Sequence, residues 1–195
     1  MSDLPLSCQC GSVKGVAKNV SKKSCNRVVC YCSDCQAFAN NIGAGARVLN
    51  EHGGTELVQL APADVQLTKG RDHIACLRFS DKGPFRWYAS CCNTPIANTA
   101  KPNFPFVGLS HAFIEMNAMT KDAKIGPVRW HCQTQDAADS WPSDQKRNGF
   151  PIGLSFRMIG LIAGWKLRGL GHPNPLFSND NEPLVEPRLV DRKIL

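Results

Sequence analysis

Short apolar runs separated by turn residues make up most of this chain. Between residues 11 and 132 the runs have strand length, are rich in β-branched and aromatic residues, and are broken by Gly, Pro, Asn and Asp. They are GSVKGVAK, NRVVCYC, TELVQL, DVQLTKG, HIACLRFS, PFRWYAS, FVGLSHAFIE and PVRWHCQ. In IACLRFSDKGPFRWYAS, the alternation on both sides of SDKGP predicts an antiparallel hairpin. The pattern therefore predicts a mainly β fold.

Helical periodicity is confined to two places. Ser33 is suited to cap a short helix over DCQAFANNI, which the glycines at 43 and 45 would end. Pro151 is suited to open a longer helix that ends near residue 170. In that segment Phe156 and Ile159 lie largely opposite Arg157, so the pattern is amphipathic.

The C-terminal part differs in composition from the rest. Residues 152–170 are about long enough to span a bilayer, but they carry Arg157, Lys166 and Arg168, so we expect a docked or interfacial helix and no transmembrane segment. The proline-rich stretch that follows predicts an extended arm. We therefore divide the chain into a β domain at 1–150 and a helix with an arm at 151–195, packed on the same domain.

Composition narrows the classes of function. A length of 195 residues suits one domain, and a net charge of +7 with a pI near 9.0 is compatible with anionic partners. The basic stretches KNVSKK and RLVDRK are not interleaved with aromatic residues, so we do not expect nucleic-acid binding. The N-terminus has no secretory signal pattern, so we expect a reducing, cytoplasmic location in which ten cysteines need an explanation other than disulfides.

Three of these cysteines lie within six positions, in CYCSDC. In a reducing compartment, thiolates cluster chiefly to hold a soft metal such as zinc. Strand alternation would place Cys30 and Cys32 on one face, and a turn at Ser33 and Asp34 would bring Cys35 back towards them. Three protein ligands leave one position open, as in catalytic zinc sites, and three thiolates suit a substrate thiol as the incoming ligand. A redox-active group or incidental buried thiols are the alternatives.

A second group of cysteines requires partners that are distant in sequence. Cys8 and Cys10 supply half of a tetrahedral site, and the later pair, Cys91 and Cys92, is the natural donor of the rest. Such a structural zinc would clamp the N-terminal strand to the hairpin. The remaining cysteines stand alone and are expected to be ordinary core thiols: Cys25, Cys76 and Cys132.

Three motifs resemble the family of the glutathione-dependent formaldehyde-activating enzyme, which includes centromere protein V. They are CQCGSV at 8–13, CYCSDCQ at 30–36 and CNTP at 92–95, and they correspond to C-x-C-G-x-V, C-x-C-x-x-C-[RQ] and the end of C-x-x-C-G-T-P. The resemblance covers about residues 7 to 115. It implies a β-tent, which is a zinc-stapled fold of stacked antiparallel sheets, and carbon–sulfur lyase activity on the adduct of glutathione and formaldehyde.

The resemblance also implies roles for individual cysteines. Cys30, Cys32 and Cys35 match the ligands of the catalytic zinc. Three residues match ligands of the structural zinc: Cys8, Cys10 and Cys92. Ala89 stands where the family has its fourth structural ligand, so that site is incomplete unless Cys91 replaces it. Asn93 replaces a glycine and tolerates a left-handed backbone better than most residues do.

The resulting hypothesis is a zinc-dependent carbon–sulfur lyase that takes a small thiol such as glutathione and a small aldehyde. An acid or base must act on the adduct's hydroxyl, and the candidates are Asp34, His111 and His131. A non-catalytic thiol carrier or interaction module, or a redox-sensing cysteine cluster, remains an alternative. The sequence leaves open the substrate and whether the chain forms a homo-oligomer.

Overall fold

The computed structural model describes residues 2–192, which form eleven strands and four helices. The strands are β1 (Ser2–Ser7), β2 (Lys14–Val20), β3 (Asn26–Cys30), β4 (Thr55–Leu60), β5 (Val65–Lys69), β6 (Ile74–Arg78), β7 (Phe85–Ala89), β8 (Thr94–Thr99), β9 (Val107–Ser110), β10 (Trp130–Cys132) and β11 (Arg188–Leu189). The helices are α1 (Ser33–Asn41), α2 (Gly45–Val48), α3 (Ala118–Ile125) and α4 (Ile152–Leu167). The prediction of a mainly β fold with a C-terminal helix is confirmed.

Two sheets pack around the main core. One has the order β1-β2-β5, and the other has the order β10-β3-β4-β9-β8-β7-β6-β11. The pairs are antiparallel except at the two edges of the larger sheet, where β10 pairs with β3 and β11 pairs with β6 in parallel. Leu4 and Leu6 of the smaller sheet share one buried cluster with Trp87 and Leu109 of the larger sheet. The predicted hairpin is confirmed as β6 and β7, with Ile74 opposite Ala89.

The C-terminal helix packs through a side that the amphipathic pattern did not indicate. Leu154 and Trp165 are its buried residues, whereas Phe156 and Ile159 are 72% and 66% exposed. Arg157 faces the sheet, where it donates hydrogen bonds to the backbone carbonyls of residues 22 and 25. Within residues 2–192, none of the helices is both long enough and apolar enough to cross a membrane.

The arm that follows α4 lies along the body of the fold. Leu176 and Phe177 are buried in the main core, and the Phe177 ring meets Phe85 and Trp87 edge to face. Further on, β11 adds a parallel strand beside β6. The extended arm is therefore packed on the sheets over the part of the chain that the structure describes.

A buried charge network ties β3 and β4 to α3. Arg27 Nε donates to Glu56 Oε1 at 2.7 Å, and Lys121 Nζ lies 3.4 Å from the same oxygen. Arg27 also pairs with Asp122. The Arg27 and Lys121 side chains are 5% and 8% exposed, so Lys121 depends on Glu56 for compensation and Arg27 depends on Glu56 together with Asp122.

This network predicts a pH-dependent stability. Burial acts to raise the pKa of Glu56, but Arg27 and Lys121 outweigh it and hold the pKa below its ordinary 4.5. The stability from Glu56 is therefore complete above about pH 5 and is lost as the pH falls through the lowered pKa of the folded state. We expect Glu56→Gln to lower the free energy of unfolding by about 3 kcal/mol at pH 7, and by less at pH 3.

Urea unfolding at both pH values measures this difference. Glu51→Gln is the matched control because the Glu51 side chain is 84% exposed. If the difference in the free energy of unfolding between wild type and Glu56→Gln stayed constant from pH 7 to pH 3, the stabilising role of the Glu56 carboxylate would be contradicted.

Candidate metal centres

The first cysteine group lies where β3 passes into α1. Cys30 is the last residue of the fully buried strand β3, and Cys32 is the N-cap of α1, with its Sγ accepting a hydrogen bond from the Cys35 backbone N–H at 3.4 Å. The Sγ atoms of Cys30 and Cys32 are 3.4 Å apart, and all three Sγ atoms lie within 4.8 Å of one another. These cysteines are positioned to hold a metal ion.

Two sequence predictions about this group need correction. Cys30 and Cys32 do not share a strand face, because β3 ends at Cys30 and the chain then turns into the helix. Ser33 is not the cap of α1, because Cys32 takes that position and supplies its sulfur as the acceptor. The same cap brings Cys35 into the first helical turn, where its Sγ joins the other two.

The thiols of this group favour their protonated form when no cation is present. The hydrogen bond with Cys30, together with burial, raises the pKa of the Cys35 thiol to about 12. Contact with Cys132, followed by contact with Cys32, raises the pKa of Cys30. Metal binding at neutral pH would therefore release protons from these sulfurs.

The second group joins the end of β1 to the turn between β7 and β8. The Sγ atom of Cys8 lies 3.6 Å from that of Cys10 and 3.8 Å from that of Cys91. Cys91 Sγ lies 3.3 Å from Cys10 Sγ and 3.8 Å from Cys92 Sγ. Four sulfurs at about 2.3 Å from a tetrahedral metal are separated by about 3.8 Å, so this group fits a closed four-sulfur site.

The backbone explains how adjacent cysteines join one group. Asn93 adopts a left-handed conformation with φ of 56°, in agreement with the expectation that Asn can replace glycine at this position. This conformation closes the turn after Cys92. Ala89 is fully buried at the end of β7 and offers no ligand, and Cys91 takes the fourth place. Val13 N–H donates to Cys8 Sγ at 3.2 Å, a contact that stabilises a thiolate.

The four cysteines of this second group differ in their exposure to solvent. Cys8 is buried, whereas Cys10 and Cys91 are exposed. Hydrogen bonds from Ser12, first through its hydroxyl and then through its backbone, lower the pKa of Cys10 to about 6. Cys10 is therefore ready to bind a metal as a thiolate at neutral pH.

A family comparison covers both cysteine groups. A model described as a family of unknown function, DUF6151, matches residues 1–186. The chain belongs to this family. No curated protein matches the chain. The resemblance of its motifs to the formaldehyde-activating enzymes therefore stays a hypothesis.

An arginine that the sequence reasoning missed lies against the first group of this DUF6151 chain. Arg86 of β7 is 3% exposed, and its Nη1 lies 3.9 Å from Cys35 Sγ. Its Nη2 lies 3.3 Å from Asp34 Oδ2, and its guanidinium lies 5.3 Å from the centre of the Phe79 ring. Three thiolates on a bound dication would carry one net negative charge, which the Arg86 cation would offset.

Asp34 is held between two arginines. Besides Arg86, Arg192 of the C-terminal arm places its Nη2 2.7 Å from Asp34 Oδ1. The two guanidinium groups fix the position of this carboxylate. The arm of the DUF6151 chain therefore reaches the residue next to Cys35.

The two histidines proposed as acid or base are engaged elsewhere. His111 Nδ1 lies 3.1 Å from the backbone carbonyl of Glu56, and His131 Nδ1 lies 3.1 Å from the Tyr31 hydroxyl. Burial lowers the pKa of both histidines. Both are therefore neutral near pH 7, and the Nδ1 atom of each already has a partner.

The three cysteines that were expected to stand alone have different surroundings in the structure. Cys25 and Cys76 lie in the main core, where burial raises their pKa to about 11 and about 12. Cys132 instead pairs with Cys30 across β10 and β3 and is buried in one cluster with Cys30 and Cys35. Cys132 is buried, as expected of a core thiol, and is not among the cysteines grouped to hold a metal. Its closeness to Cys30 was not predicted, because a parallel strand pairing over 100 residues is invisible in local sequence.

A small cavity adjoins Cys35. It measures about 10 Å³, which is room for about one water-sized molecule, and its surface is mostly apolar, although Thr55, Asn98 and Ser110 are among its lining residues. Thr55 Oγ1 is buried without a hydrogen-bond partner among residues 2–192. Thr55 is thus a lining residue of this space whose hydroxyl lacks a partner within the described chain.

Proposed function

We propose that Cys30, Cys32 and Cys35 hold zinc with its fourth position open, and that the protein is a zinc-dependent carbon–sulfur lyase. Its substrate would be a thiol–aldehyde adduct such as that of glutathione with formaldehyde. The observation that carries this proposal is the small cavity beside Cys35, which has room for about one water-sized group and is lined by Thr55, whose hydroxyl has no partner among residues 2–192. A closed structural site would have no use for such a space.

The zinc would supply positive charge that stabilises the substrate sulfur as a thiolate. In the lyase direction the carbon–sulfur bond breaks, the adduct's hydroxyl gives up its proton, and the aldehyde and thiol separate. Thr55 would hold the adduct's oxygen by a hydrogen bond and relay its proton towards solvent. Arg86, next to Cys35, would hold the cysteine ligands in their anionic form.

The rest of the thiol needs more room than the small cavity provides. Val48 and Pro95 line both that cavity and an open cleft of about 290 Å³, which Arg47 and His111 also line. Arg47 is exposed, and its Nη2 lies 3.3 Å from the Cys92 carbonyl. An anionic thiol such as glutathione would place a carboxylate at Arg47 and its sulfur towards the cysteines.

The second cysteine group supports the finer fold assignment. Zinc held by Cys8, Cys10, Cys91 and Cys92 would staple β1 to the β7–β8 turn, as the β-tent of the formaldehyde-activating family requires. The ten free cysteines fit a reducing compartment, and we propose the cytoplasm.

A non-catalytic thiol carrier or interaction module is the second candidate. The ion pairs of Asp34 favour it, because the Asp34 carboxylate is already bound by Arg86 and Arg192. His111 is likewise bonded to a backbone carbonyl. A carrier needs the open metal position but no free acid or base.

Exchange NMR between glutathione, formaldehyde and their adduct separates these candidates, with zinc per chain measured on the same samples. We expect the wild type to accelerate exchange and Cys35→Ser to abolish it together with one zinc. Thr55→Val keeps the shape of the side chain and should slow exchange by about 100-fold while zinc is retained. The control, Thr68→Val, changes an exposed strand threonine and should leave exchange unchanged.

Each contrary result has a distinct meaning. Glutathione binding without faster exchange would replace the lyase with the carrier. A wild type that holds no metal at Cys35 and binds no glutathione would overturn both candidates.

A further inference from the structure

An apolar groove lies between α4 and the larger sheet. It has a volume of about 410 Å³, within the range of small-molecule sites. We call it the α4 groove, and its apolar wall consists of Phe104, Phe106, Phe150, Met158, Ile159 and Ile162. Phe150 is 57% exposed and Ile159 is 66% exposed, so this wall remains open along the described chain.

One buried amide lines the groove. Gln59 of β4 is 6% exposed, and its Oε1 is buried without a hydrogen-bond partner among the described residues. Its neighbour on β9 is Gly108, which has no side chain to meet the amide. Its neighbour on β3 is Asn26, whose side chain is already bonded to Arg157 and Met158. A buried acceptor without a donor is unfavourable, and the groove is the side from which a donor can come.

We propose that the α4 groove binds a lipophilic small molecule with an alkyl or aryl body and one hydroxyl or N–H group, which donates a hydrogen bond to Gln59 Oε1. The aromatic and aliphatic wall suits the apolar body, and the single acceptor sets its orientation. A flat protein surface, such as a second copy of the chain, would cover the rim but would not bring a donor to the buried amide.

This site is separate from the proposed lyase site. Leu154 and Met158 line the α4 groove and also pack against the cluster that contains Cys30, Cys35 and Cys132. These two side chains therefore stand between the groove and the sulfurs. The groove ligand and the thiol substrate are thus different molecules.

Two probes with equal numbers of heavy atoms test the proposal by calorimetry. 1-Decanol carries the donor, whereas 1-methoxynonane has the same length and no donor. We expect the wild type to bind 1-decanol about 10-fold more tightly, the value of one hydrogen bond to a buried acceptor. Gln59→Met keeps the side chain's length and removes the acceptor, so both probes should then bind with equal affinity.

Two further variants locate the binding. Ala100→Trp fills the groove from an exposed position in its wall and should abolish binding of both probes. Phe156→Ser is the control, because Phe156 is 72% exposed on α4 but is not part of the wall. Circular dichroism confirms that each variant is folded.

Three results would overturn the proposal. Equal affinity of the wild type for both probes would show that Gln59 is not the acceptor. Full binding to a folded Ala100→Trp variant would place the ligand elsewhere. A dimer in light scattering that binds neither probe would assign the groove to a second copy of the chain.

Discussion

Replacing Cys91 with alanine is expected to remove one metal ion per chain and to lower the free energy of unfolding. The four sulfurs of its group have the separations of a closed tetrahedral site, so binding energy there contributes directly to folding. We expect a loss of about 4 kcal/mol or more, the range that follows removal of a structural metal. Elemental analysis of protein purified without added metal, together with urea unfolding, measures both effects.

The neighbouring Ser90→Ala variant is the matched control. Ser90 is exposed in the same turn, and its hydroxyl bonds to the His73 carbonyl, away from the sulfurs. It should keep both the metal content and the stability of the wild type within about 0.5 kcal/mol. If Cys91→Ala held as much metal as Ser90→Ala, Cys91 would not be a ligand, and the site would close by other means.

The second large effect is expected for Arg86→Met. Methionine keeps the apolar stem but removes the buried cation beside Cys35 and Asp34. Breaking a buried pair at one partner costs about 3–5 kcal/mol. Loss of the charge that offsets the thiolates should also weaken metal binding at the first group by about 10- to 100-fold. Urea unfolding and competition with a chelator measure the two quantities.

Arg78 offers a control on the adjacent strand. Its guanidinium stacks on the Phe85 ring and bonds to the Gly83 carbonyl, remote from the cysteines. Arg78→Met should change stability by less than Arg86→Met and leave the metal affinity unchanged. Restoration of the metal affinity by Arg86→Lys would show that the charge is what matters. Wild-type metal affinity in the Arg86→Met variant would show that the Arg86 charge does not compensate the thiolates.

Local patterns predicted most of the strands, because each apolar run is long enough to form one side of a sheet. Two strands in the motif-bearing region escaped prediction for physical reasons. β1 contains Pro5, and β8 contains Pro95, a residue that removes a ladder donor and weakens the strand signal. α3 was also missed, since its eight residues after the Asn117 cap are too few for helical periodicity to be recognised.

The sequence predicted which cysteines form the candidate sites, but it did not predict which other residues surround them. Spacing alone identified Cys30, Cys32 and Cys35, because three thiols in six positions have few other uses. Arg86 and Arg192 were invisible, since their roles depend on strand pairings that bring distant segments to Asp34. The Thr55 hydroxyl and Gln59 Oε1, which lack partners among the residues that the structure describes, could not be predicted either, because lacking a partner is a property of the folded environment.

The C-terminal arm has a consequence for how the protein is made. Cys30, Cys32 and Cys35 leave the ribosome early, whereas Leu154 and Arg192, which pack around them, follow much later. Translation of the about 160 residues between Cys35 and Arg192 takes roughly 10–30 s at about 5–20 residues per second. During that time the nascent chain presents three uncovered thiols to metal ions and oxidants. Whether metal binding or oxidation reaches these thiols first is therefore determined during translation, before β11 has joined the larger sheet.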